Sequence, residues 1–258
     1  MFDRERPSFE ESNNVTVKRC FFAYEWAIPF LRDKNTADIG CADGYGTQYL
    51  ANYTQTTIGV DYSEKTIEEA RNKHKAKSNL SFISGKVPPI PIESESKDVV
   101  TAFQFIEHID QRKAFMEDVK RVLKPGGTFL CTTPNAKMSI ARNPFHVHEY
   151  TFDEMKNEAS QVFDSIELWG VQGNEKVNLY YEENAKWAKK ILRLDPLGLH
   201  KIIPASWLVA PYNFLTSMMR KELKETNENT IKIETSDFYL TQDRLDHTWD
   251  IVLVGRKK

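Results

Sequence analysis

The sequence has few cysteines, no long apolar run and no large excess of either charge. Its three cysteines, Cys20, Cys41 and Cys131, are widely separated in the 258 residues, so we expect reduced packing residues and no disulfide framework. No run of about eighteen consecutive apolar residues occurs, and the first residues lack the apolar core of a secretion signal. The formal net charge of −2 provides no general attraction for a polyanion, so bulk nucleic-acid binding is not expected. These absences predict a soluble cytoplasmic protein without a transmembrane segment.

Three glycines, Gly40, Gly44 and Gly46, follow a short apolar run, and a carboxylate, Asp61, ends the next apolar run. A glycine turn between a parallel strand and a helix allows the backbone to approach a ligand closely. An acidic residue at the end of the second strand is placed to accept both ribose hydroxyls of a nucleotide. The spacing is Gly-x-x-x-Gly-x-Gly, which differs from the dinucleotide fingerprint. The pattern therefore predicts a nucleoside-containing cofactor other than NAD.

These motifs resemble the cofactor site of the class I S-adenosylmethionine-dependent methyltransferases, in particular the bacterial type 11-like family. The resemblance rests on Asp38-x-Gly40-x-x-x-Gly44-x-Gly46, on Gly59-Val60-Asp61, and on two later segments, 104–109 and 122–135. It covers roughly residues 1–171 and the last ten residues. It implies that S-adenosyl-L-methionine is the cofactor and that the protein is a methyltransferase.

The resemblance, together with the position of each residue, predicts the cofactor site. In it, Asp38 organises the methionine part, the glycines contact the aminoacyl end and Asp61 binds the ribose. Ala42 stands where many relatives carry a glycine, and Lys86 stands near a position where relatives often present an acidic residue to the adenine amine. Lys86 cannot accept a hydrogen bond from that amine, so we expect backbone groups near Gly85 and Lys86 to contact the adenine. The complete predicted set is Asp38, Gly40, Cys41, Ala42, Gly44, Gly46, Asp61, Tyr62, Gly85, Lys86 and Gln104.

Short apolar runs alternate with segments of helical period, which is typical of a doubly wound parallel sheet. An amphipathic pattern from Val17 to Ile28 predicts an N-terminal helix packed on or over the site. We predict an α/β, Rossmann-like fold with seven mostly parallel strands, as the resemblance implies, and an antiparallel last strand. The predicted strands start at Thr36 and continue at Thr56–Val60, Leu80–Ser84, Asp98–Phe103, Thr128–Thr132, Ser165–Trp169 and Trp249–Val254.

The segment 172–247 departs from this alternation and predicts an insertion between the last two strands. The methyltransferase domain would then comprise residues 1–171 and 248–258. Residues 182–194 have a helical pattern, the middle of the segment is aromatic, and residues 221–235 are polar enough for a solvated linker. The aromatic middle of the segment has more apolar surface than a connecting loop can expose to water, so most of these side chains must pack on the sheet or on one another. A helical lid that adds stability, a substrate cap and a lipid-contacting surface all fit this composition.

Candidate catalytic residues follow the fourth predicted strand, where ligands bind in open α/β sheets. Gln104 and His108 lie there, and His108 is the first choice for a base because its ordinary pKa is close to working pH. A histidine bonded to backbone at the strand end is the competing interpretation. His146 and His148 are two residues apart, so in an extended segment both would point to one face. We expect His146 to orient the substrate, with a purely structural loop as the alternative.

Glu107 together with these histidines also suggests a divalent-metal site. The pattern resembles the small-RNA 3′-terminal 2′-O-methyltransferases, which carry Glu-x-x-Glu-His and a later histidine. Gln104 replaces the first glutamate here, so we predict no metal.

The segment 143–150 is similar to one in bacterial methyltransferases often found with sugar-modifying enzymes. We therefore expect O-methylation of a saccharide-type or other small-molecule hydroxyl, with nitrogen acceptors left open. The alternatives are a metal-dependent RNA 2′-O-methyltransferase, a non-catalytic cofactor-binding protein, and a membrane-surface protein in which the aromatic segment makes peripheral lipid contact.

Overall fold

The structure is a computed structural model that describes residues 15–140, 143–193, 207–209 and 232–258. One eight-stranded sheet has the order β3-β2-β1-β4-β5-β8-β6-β7. Strands β1 to β5 are parallel, whereas β8 is antiparallel to both β5 and β6, and β7 is antiparallel to β6. The strands are β1 Asn35–Ile39, β2 Thr56–Asp61, β3 Leu80–Ser84, β4 Lys97–Phe103, β5 Leu123–Pro134, β6 Ser165–Gly173, β7 Phe238–Thr241 and β8 Asp250–Arg256.

Local sequence signals account for several of the helix boundaries. Ser63 caps α3 by accepting a hydrogen bond from the Thr66 backbone N–H at 3.3 Å, as expected for a serine before a helix. Thr151 and Glu154 form a capping box at the start of α5, as a threonine followed three residues later by a glutamate indicates. The helices are α1 Val15–Leu31, α2 Tyr45–Leu50, α3 Glu64–His74, α4 Arg112–Val122, α5 Phe152–Ser160 and α6 Glu175–Leu192.

The sheet has an apolar core on each of its two faces. Successive strand residues point to opposite faces, so Phe129 and Cys131 pack in one core while Leu130 packs in the other. Helices α4 and α5 cover the first core, whereas α1 and α2 cover the second. All three cysteines are free thiols, as predicted. The N-terminal helix therefore packs across β4 and β5, close to the carboxyl ends of the parallel strands.

The number of strands predicted from the sequence, seven, is wrong, because β7 is an eighth strand. It pairs with β6 through four residues, from Gly170↔Thr241 to Gly173↔Phe238. Only four residues alternate in this strand, too few to stand out in a polar segment. Residues 172–173 and 238–241, placed in the insertion by the sequence, thus belong to the sheet. Helix α6 also begins earlier than predicted, at Glu175.

The aromatic middle of the segment 172–247 falls largely outside the described residues. Trp207 is described, and 75% of its surface is exposed, so the expectation that these side chains pack does not hold for this one. The predicted polar linker, residues 221–235, is described only from residue 232 onward. Within the described part of the chain, no helix is both long and apolar enough to cross a membrane.

Candidate functional site

The turn between β1 and α2 has an unusual backbone conformation. Gly40 and Gly44 both have φ of 80°, and Ala42 has φ of 48°. The backbone N–H groups of Gly40 and Cys41 both donate to the Val60 carbonyl, at 2.8 and 3.0 Å. These bonds fold the turn over the end of β2. The backbone of Ala42 is in the left-handed conformation, which costs an L-residue about 1–2 kcal/mol.

The three glycines of this turn also make room for aromatic rings. A Cβ at Gly40 would lie 2.5 Å from the Phe105 ring, and one at Gly46 would lie 2.1 Å from the Tyr24 ring. A Cβ at Gly44 would lie 2.6 Å from the ring of a third aromatic residue, in β3. From the sequence, these glycines are expected to allow close approach of the cofactor. The structure adds a packing requirement, which at Gly46 comes from α1.

Asp38 lies in β1 just before the turn and is almost fully buried. Thr47 in α2 donates a hydrogen bond to its Oδ2 at 2.6 Å, and Thr101 in β4 donates to its Oδ1 at 2.7 Å. Burial raises the pKa of Asp38 to about 6, although the hydrogen bonds from surrounding hydroxyls favour the charged form. Asp38 therefore connects β1 to α2 and to β4, on both sides of the turn. This position fits the organising role that the resemblance implies.

Asp61 ends β2 beside the turn. Its Oδ2 accepts a hydrogen bond from the Ala42 N–H at 3.1 Å, and its Oδ1 accepts one from the Ser63 N–H at 3.0 Å. The Gly85 N–H donates to the Asp61 carbonyl at 2.9 Å, which brings the end of β3 alongside. Tyr62 is half exposed next to this carboxylate. Lys86 is also exposed. The structure thus brings together the residues predicted to contact ribose and adenine.

Gln104 immediately follows β4 and has φ of 52°, in the left-handed region. Its backbone N–H donates to the Thr132 carbonyl at 2.8 Å, and its side-chain Nε2 donates to the Thr132 hydroxyl at 3.4 Å. The side-chain amide also reaches the carboxylate of Asp250. Gln104 therefore points toward β5 and β8, at the centre of the carboxyl-end edge.

Glu107 is buried behind the same edge. The Thr133 hydroxyl donates to its Oε2 at 3.0 Å. Its own carbonyl accepts hydrogen bonds from the N–H groups of Val147 and His148, at 2.7 and 3.2 Å. Burial raises the pKa of Glu107 to about 7, against the lowering effect of His146. A carboxyl group with this pKa changes its protonation state near neutral pH.

His108 and His146 are brought together by the turn that precedes Tyr150. Their rings are 5.0 Å apart, nearly perpendicular. His108 Nδ1 lies 3.0 Å from the Phe145 carbonyl, and only an N–H can bond to a carbonyl, so Nδ1 carries the proton. Its Nε2 is 4.0 Å from Glu107 Oε1. In neutral His108 this Nε2 is the basic nitrogen.

His146 is held on both ring nitrogens. Its Nδ1 lies 2.6 Å from Glu149 Oε1, and its Nε2 lies 2.9 Å from the side-chain nitrogen of Asn143. Burial alone would raise the pKa of Glu149, but the hydrogen bonds from His146 and Ser139 keep it below the ordinary value. His146 is therefore a fixed side chain packed against the His108 ring.

The predicted sharing of one pocket by His146 and His148 is wrong. The segment turns instead of running extended, so the two side chains have different neighbours. The His148 ring packs at 4.9 Å from Tyr150, and its Nε2 is 3.8 Å from Glu154. The alternation of side chains that would have placed both histidines together applies only to extended backbone.

The side chains of Glu107, His108 and His146 offer ligand atoms within 4.8 Å of one another. This juxtaposition has the residue types of a divalent-metal site. However, Glu107 Oε2 already accepts from Thr133, and both nitrogens of His146 have partners. A metal ion at this position would have to replace some of these hydrogen bonds.

Three polar residues at this edge were not predicted from the sequence. Asp250 opens β8 opposite Pro134, the last residue of β5, and is almost fully buried. Arg19 in α1 lies 3.1 Å from Asp250 Oδ2, and its guanidinium lies over the ring of Tyr181 in α6. Because β8 was predicted to be antiparallel, its first residue had to lie at the same edge as the ends of the parallel strands. This reasoning could have placed Asp250 at the edge from the sequence, but it could not have placed Arg19 or Tyr181 there.

The arrangement fits S-adenosylmethionine. An acidic side chain held by backbone N–H groups ends β2, as expected for a residue that binds both ribose hydroxyls. The backbone at Gly40 and Gly44 is left-handed, which exposes main-chain groups of the turn beside that carboxylate. The side chains of Gln104 and His108 follow β4, the next strand of the edge.

Known proteins share this combination of fold and motif. Residues 37–131 match a family described as a methyltransferase domain. A probable S-adenosylmethionine-dependent methyltransferase of Mycolicibacterium smegmatis is 35% identical over 158 residues, which cover 59% of this chain and 60% of that protein. A ubiquinone biosynthesis O-methyltransferase of Coxiella burnetii is 24% identical over 124 residues, covering 48% of this chain and 53% of that protein. The matched region thus spans little more than half the length of these curated relatives.

Solved structures show the same fold over most of the chain. The YcgJ protein of Bacillus subtilis superposes with a TM-score of 0.58 at 18% identity, covering 92% of this chain and 98% of that one. The cyclase SpnF gives a TM-score of 0.60 at 14% identity, with 93% and 81% coverage. One of these is named for a different reaction, so the fold by itself does not define the activity. The matched domain and its relatives, however, show that this chain carries a methyltransferase domain similar to those of S-adenosylmethionine-dependent methyltransferases.

Proposed function

We propose that the protein transfers the methyl group of S-adenosylmethionine to a hydroxyl of a saccharide-type or other small-molecule acceptor. The bound cofactor would supply a methyl group on a positively charged sulfur. When an acceptor oxygen bonds the methyl carbon, the carbon–sulfur bond breaks and the sulfur becomes a neutral thioether. A hydroxyl acceptor must also lose its proton. The observation that carries the proposal is the orientation of His108: its Nδ1 is anchored to the Phe145 carbonyl, which makes Nε2 the nitrogen that can accept that proton.

The residues around His108 support this role. His146 packs against its ring and is itself fixed by Glu149, so it holds the His108 ring in place. Glu107 lies 4.0 Å from Nε2, and its negative form would stabilise the imidazolium that proton transfer creates. Such a base contributes on the order of 10²–10⁴-fold, whereas alignment of acceptor and methyl can contribute about 7–11 kcal/mol. Positioning of the acceptor is therefore the larger requirement.

We assign acceptor positioning to the segment between β6 and β8. Helix α6 in this segment packs onto the carboxyl-end edge, where Tyr181 stacks on Trp249 with 4.0 Å between ring centroids. The guanidinium of Arg19 in α1 lies over the ring of the same Tyr181. The relative named as an O-methyltransferase supports an oxygen acceptor.

A methyl-transfer screen with radiolabelled cofactor tests the proposal. The acceptors are neutral sugars, sugar nucleotides, lipid-linked sugars, small phenols and short RNAs. We expect label in a hydroxyl-bearing small molecule, and a kcat reduced about 10²–10⁴-fold in His108→Ala with little change in cofactor affinity. His148→Ala is the matched control, because that histidine contacts Tyr150 and Glu154 and should retain wild-type kcat. Equal kcat in both variants would remove His108 from the chemistry.

The grouping of Glu107, His108 and His146 favours a second candidate, a metal-dependent RNA 2′-O-methyltransferase. In that case label would appear at the 3′ end of the short RNAs and would require a divalent ion.

A further inference from the structure

Four side chains from three elements form a continuous, partly buried contact at the same edge of the sheet as the proposed base. The Trp249 ring stacks on Tyr181, the Arg19 guanidinium lies 5.5 Å from the centre of the Tyr181 ring, and Arg19 Nε lies 3.1 Å from Asp250 Oδ2. We call Arg19, Tyr181, Trp249 and Asp250 the polar cluster. It joins the N-terminal helix α1, helix α6 and the start of β8.

The polar cluster contains buried groups whose hydrogen bonds are unmet within the described part of the chain. They are the Tyr181 hydroxyl, the Trp249 Nε1–H, the Asp250 Oδ1 and the Arg19 Nε–H, which is close to Asp250 but poorly aligned with it. Native proteins satisfy nearly all buried polar groups, because an unpaired one is costly. Several such groups in one contact therefore indicate that something else completes their hydrogen bonds.

The polar cluster adjoins the residues proposed for catalysis. Asp250 faces Pro134 across the β5–β8 pair, one residue beyond Thr133, which holds Glu107. The Gln104 amide lies near the Asp250 carboxylate and favours its charged form, but it does not hydrogen-bond to Oδ1. A ligand bound to the polar cluster would therefore lie at the same edge of the sheet as His108 and the glycine turn.

The chemistry of the unmet groups restricts the ligand. Donors and acceptors occur together, and a hydroxyl is both a donor and an acceptor. Arg19 and Asp250 neutralise each other, so the polar cluster has no net charge for an anion or a cation, and the buried carboxylate would repel a phosphate. An apolar ligand would leave the donors and acceptors unpaired.

We propose that the polar cluster binds the hydroxyl groups of a neutral, polyhydroxylated acceptor. The inference rests on the proposed function for its biological meaning, but binding can be measured without methyl transfer.

The sharpest test is Tyr181→Phe, which removes only a hydroxyl that has no partner among the described residues. The probes are methyl glycosides of neutral hexoses, detected by saturation-transfer NMR with and without S-adenosylhomocysteine. Glucose 6-phosphate and glucosamine serve as charged comparisons. We expect the neutral glycosides to bind the wild type more tightly than the charged sugars, and Tyr181→Phe to weaken them about 3- to 10-fold, as for one lost hydrogen bond. The melting temperature of the variant should stay equal or rise.

Tyr150→Phe is the matched control, because Tyr150 is also buried but its hydroxyl donates to Glu158 at 2.6 Å. This variant should lose stability and keep wild-type binding of the glycosides. Equal glycoside binding in wild type and Tyr181→Phe, or no glycoside binding at all by a folded wild type, would overturn the inference. Calorimetry with S-adenosylhomocysteine and the methyl-transfer assay separate the two proposals. Glycoside binding without cofactor binding would refute the methyltransferase role alone. Methylation of a hydroxyl-bearing acceptor with the same acceptor KM in wild type and Tyr181→Phe would refute the polar cluster's role alone.

Discussion

The backbone N–H of Ala42 donates a hydrogen bond to Oδ2 of Asp61, at 3.1 Å. This bond ties the turn after β1 to the end of β2. The two parts of the predicted cofactor site therefore share one hydrogen bond, and a change at either residue affects the geometry of both.

Replacement of Asp61 by alanine should weaken binding of S-adenosylhomocysteine by about 1–3 kcal/mol, because the ribose hydroxyls and the Ala42 N–H would lose their acceptor. Isothermal titration calorimetry measures this change. Asp98→Ala is the control, since Asp98 pairs with Lys124 at the opposite end of the strands. It should cost stability and leave cofactor affinity unchanged. Unaltered affinity in Asp61→Ala would exclude Asp61 from the site.

Ala42→Gly should stabilise the protein by up to about 1 kcal/mol. Relief of the left-handed conformation, about 1–2 kcal/mol, exceeds the greater entropy of glycine in the unfolded chain, about 0.5–1 kcal/mol. Urea denaturation measures the difference. Ala51→Gly provides the opposite case. Ala51 has φ of −61°, an ordinary conformation for alanine, so glycine relieves no strain there and the variant should be less stable than the wild type. A destabilised Ala42→Gly would mean that the methyl group makes a favourable contact.

Asp38 and Glu107 make stability depend on pH near neutrality. Burial raises their pKa values to about 6 and about 7, above those of the unfolded chain. Their stabilising contribution is therefore fully present below the unfolded pKa values and is lost as the pH rises through 6 and 7. The free energy of unfolding should fall by on the order of 1–3 kcal/mol between about pH 6 and about pH 8.

His74, whose pKa burial lowers, opposes this trend in part. Thermal unfolding of wild type and Glu107→Gln over that range tests the prediction, and the variant should show a flatter profile. A melting temperature that rises steadily from pH 6 to pH 8 would contradict it.

Catalysis should not require a divalent metal. Gln104 offers a neutral amide where a ligand carboxylate is expected, and the nitrogens of His146 are engaged by Glu149 and Asn143. Activity should therefore survive exhaustive treatment with a chelator. Loss of activity that added magnesium or manganese restores would instead favour the RNA-directed candidate.

Features governed by neighbouring residues were predictable from the sequence. The strand β3 has the predicted bounds, and the Ser63 cap and the Thr151 capping box both lie where short local sequence patterns indicate them. These features depend on apolar alternation and on side chains that bond to the backbone within three residues. The strand β7 was missed because four residues carry too little pattern.

Features that depend on the order of the strands in the sheet were harder to predict from the sequence. Asp250 contacts Arg19, which is more than two hundred residues away in the chain, and no local pattern connects them. The same holds for Tyr24, which accounts for the packing at Gly46. The placement of His148 failed for a different reason, since a turn in the backbone replaced the extended conformation on which its alternation depended.

The position of β8 determines the order in which the sheet can be completed. Strands β6 and β7 are made before β8, yet they join the parallel part of the sheet only through it. Pairing of β6 and β7 with the parallel strands therefore depends on β8. The same strand brings Asp250 to the edge, so closure of the sheet and completion of the proposed acceptor site depend on one element.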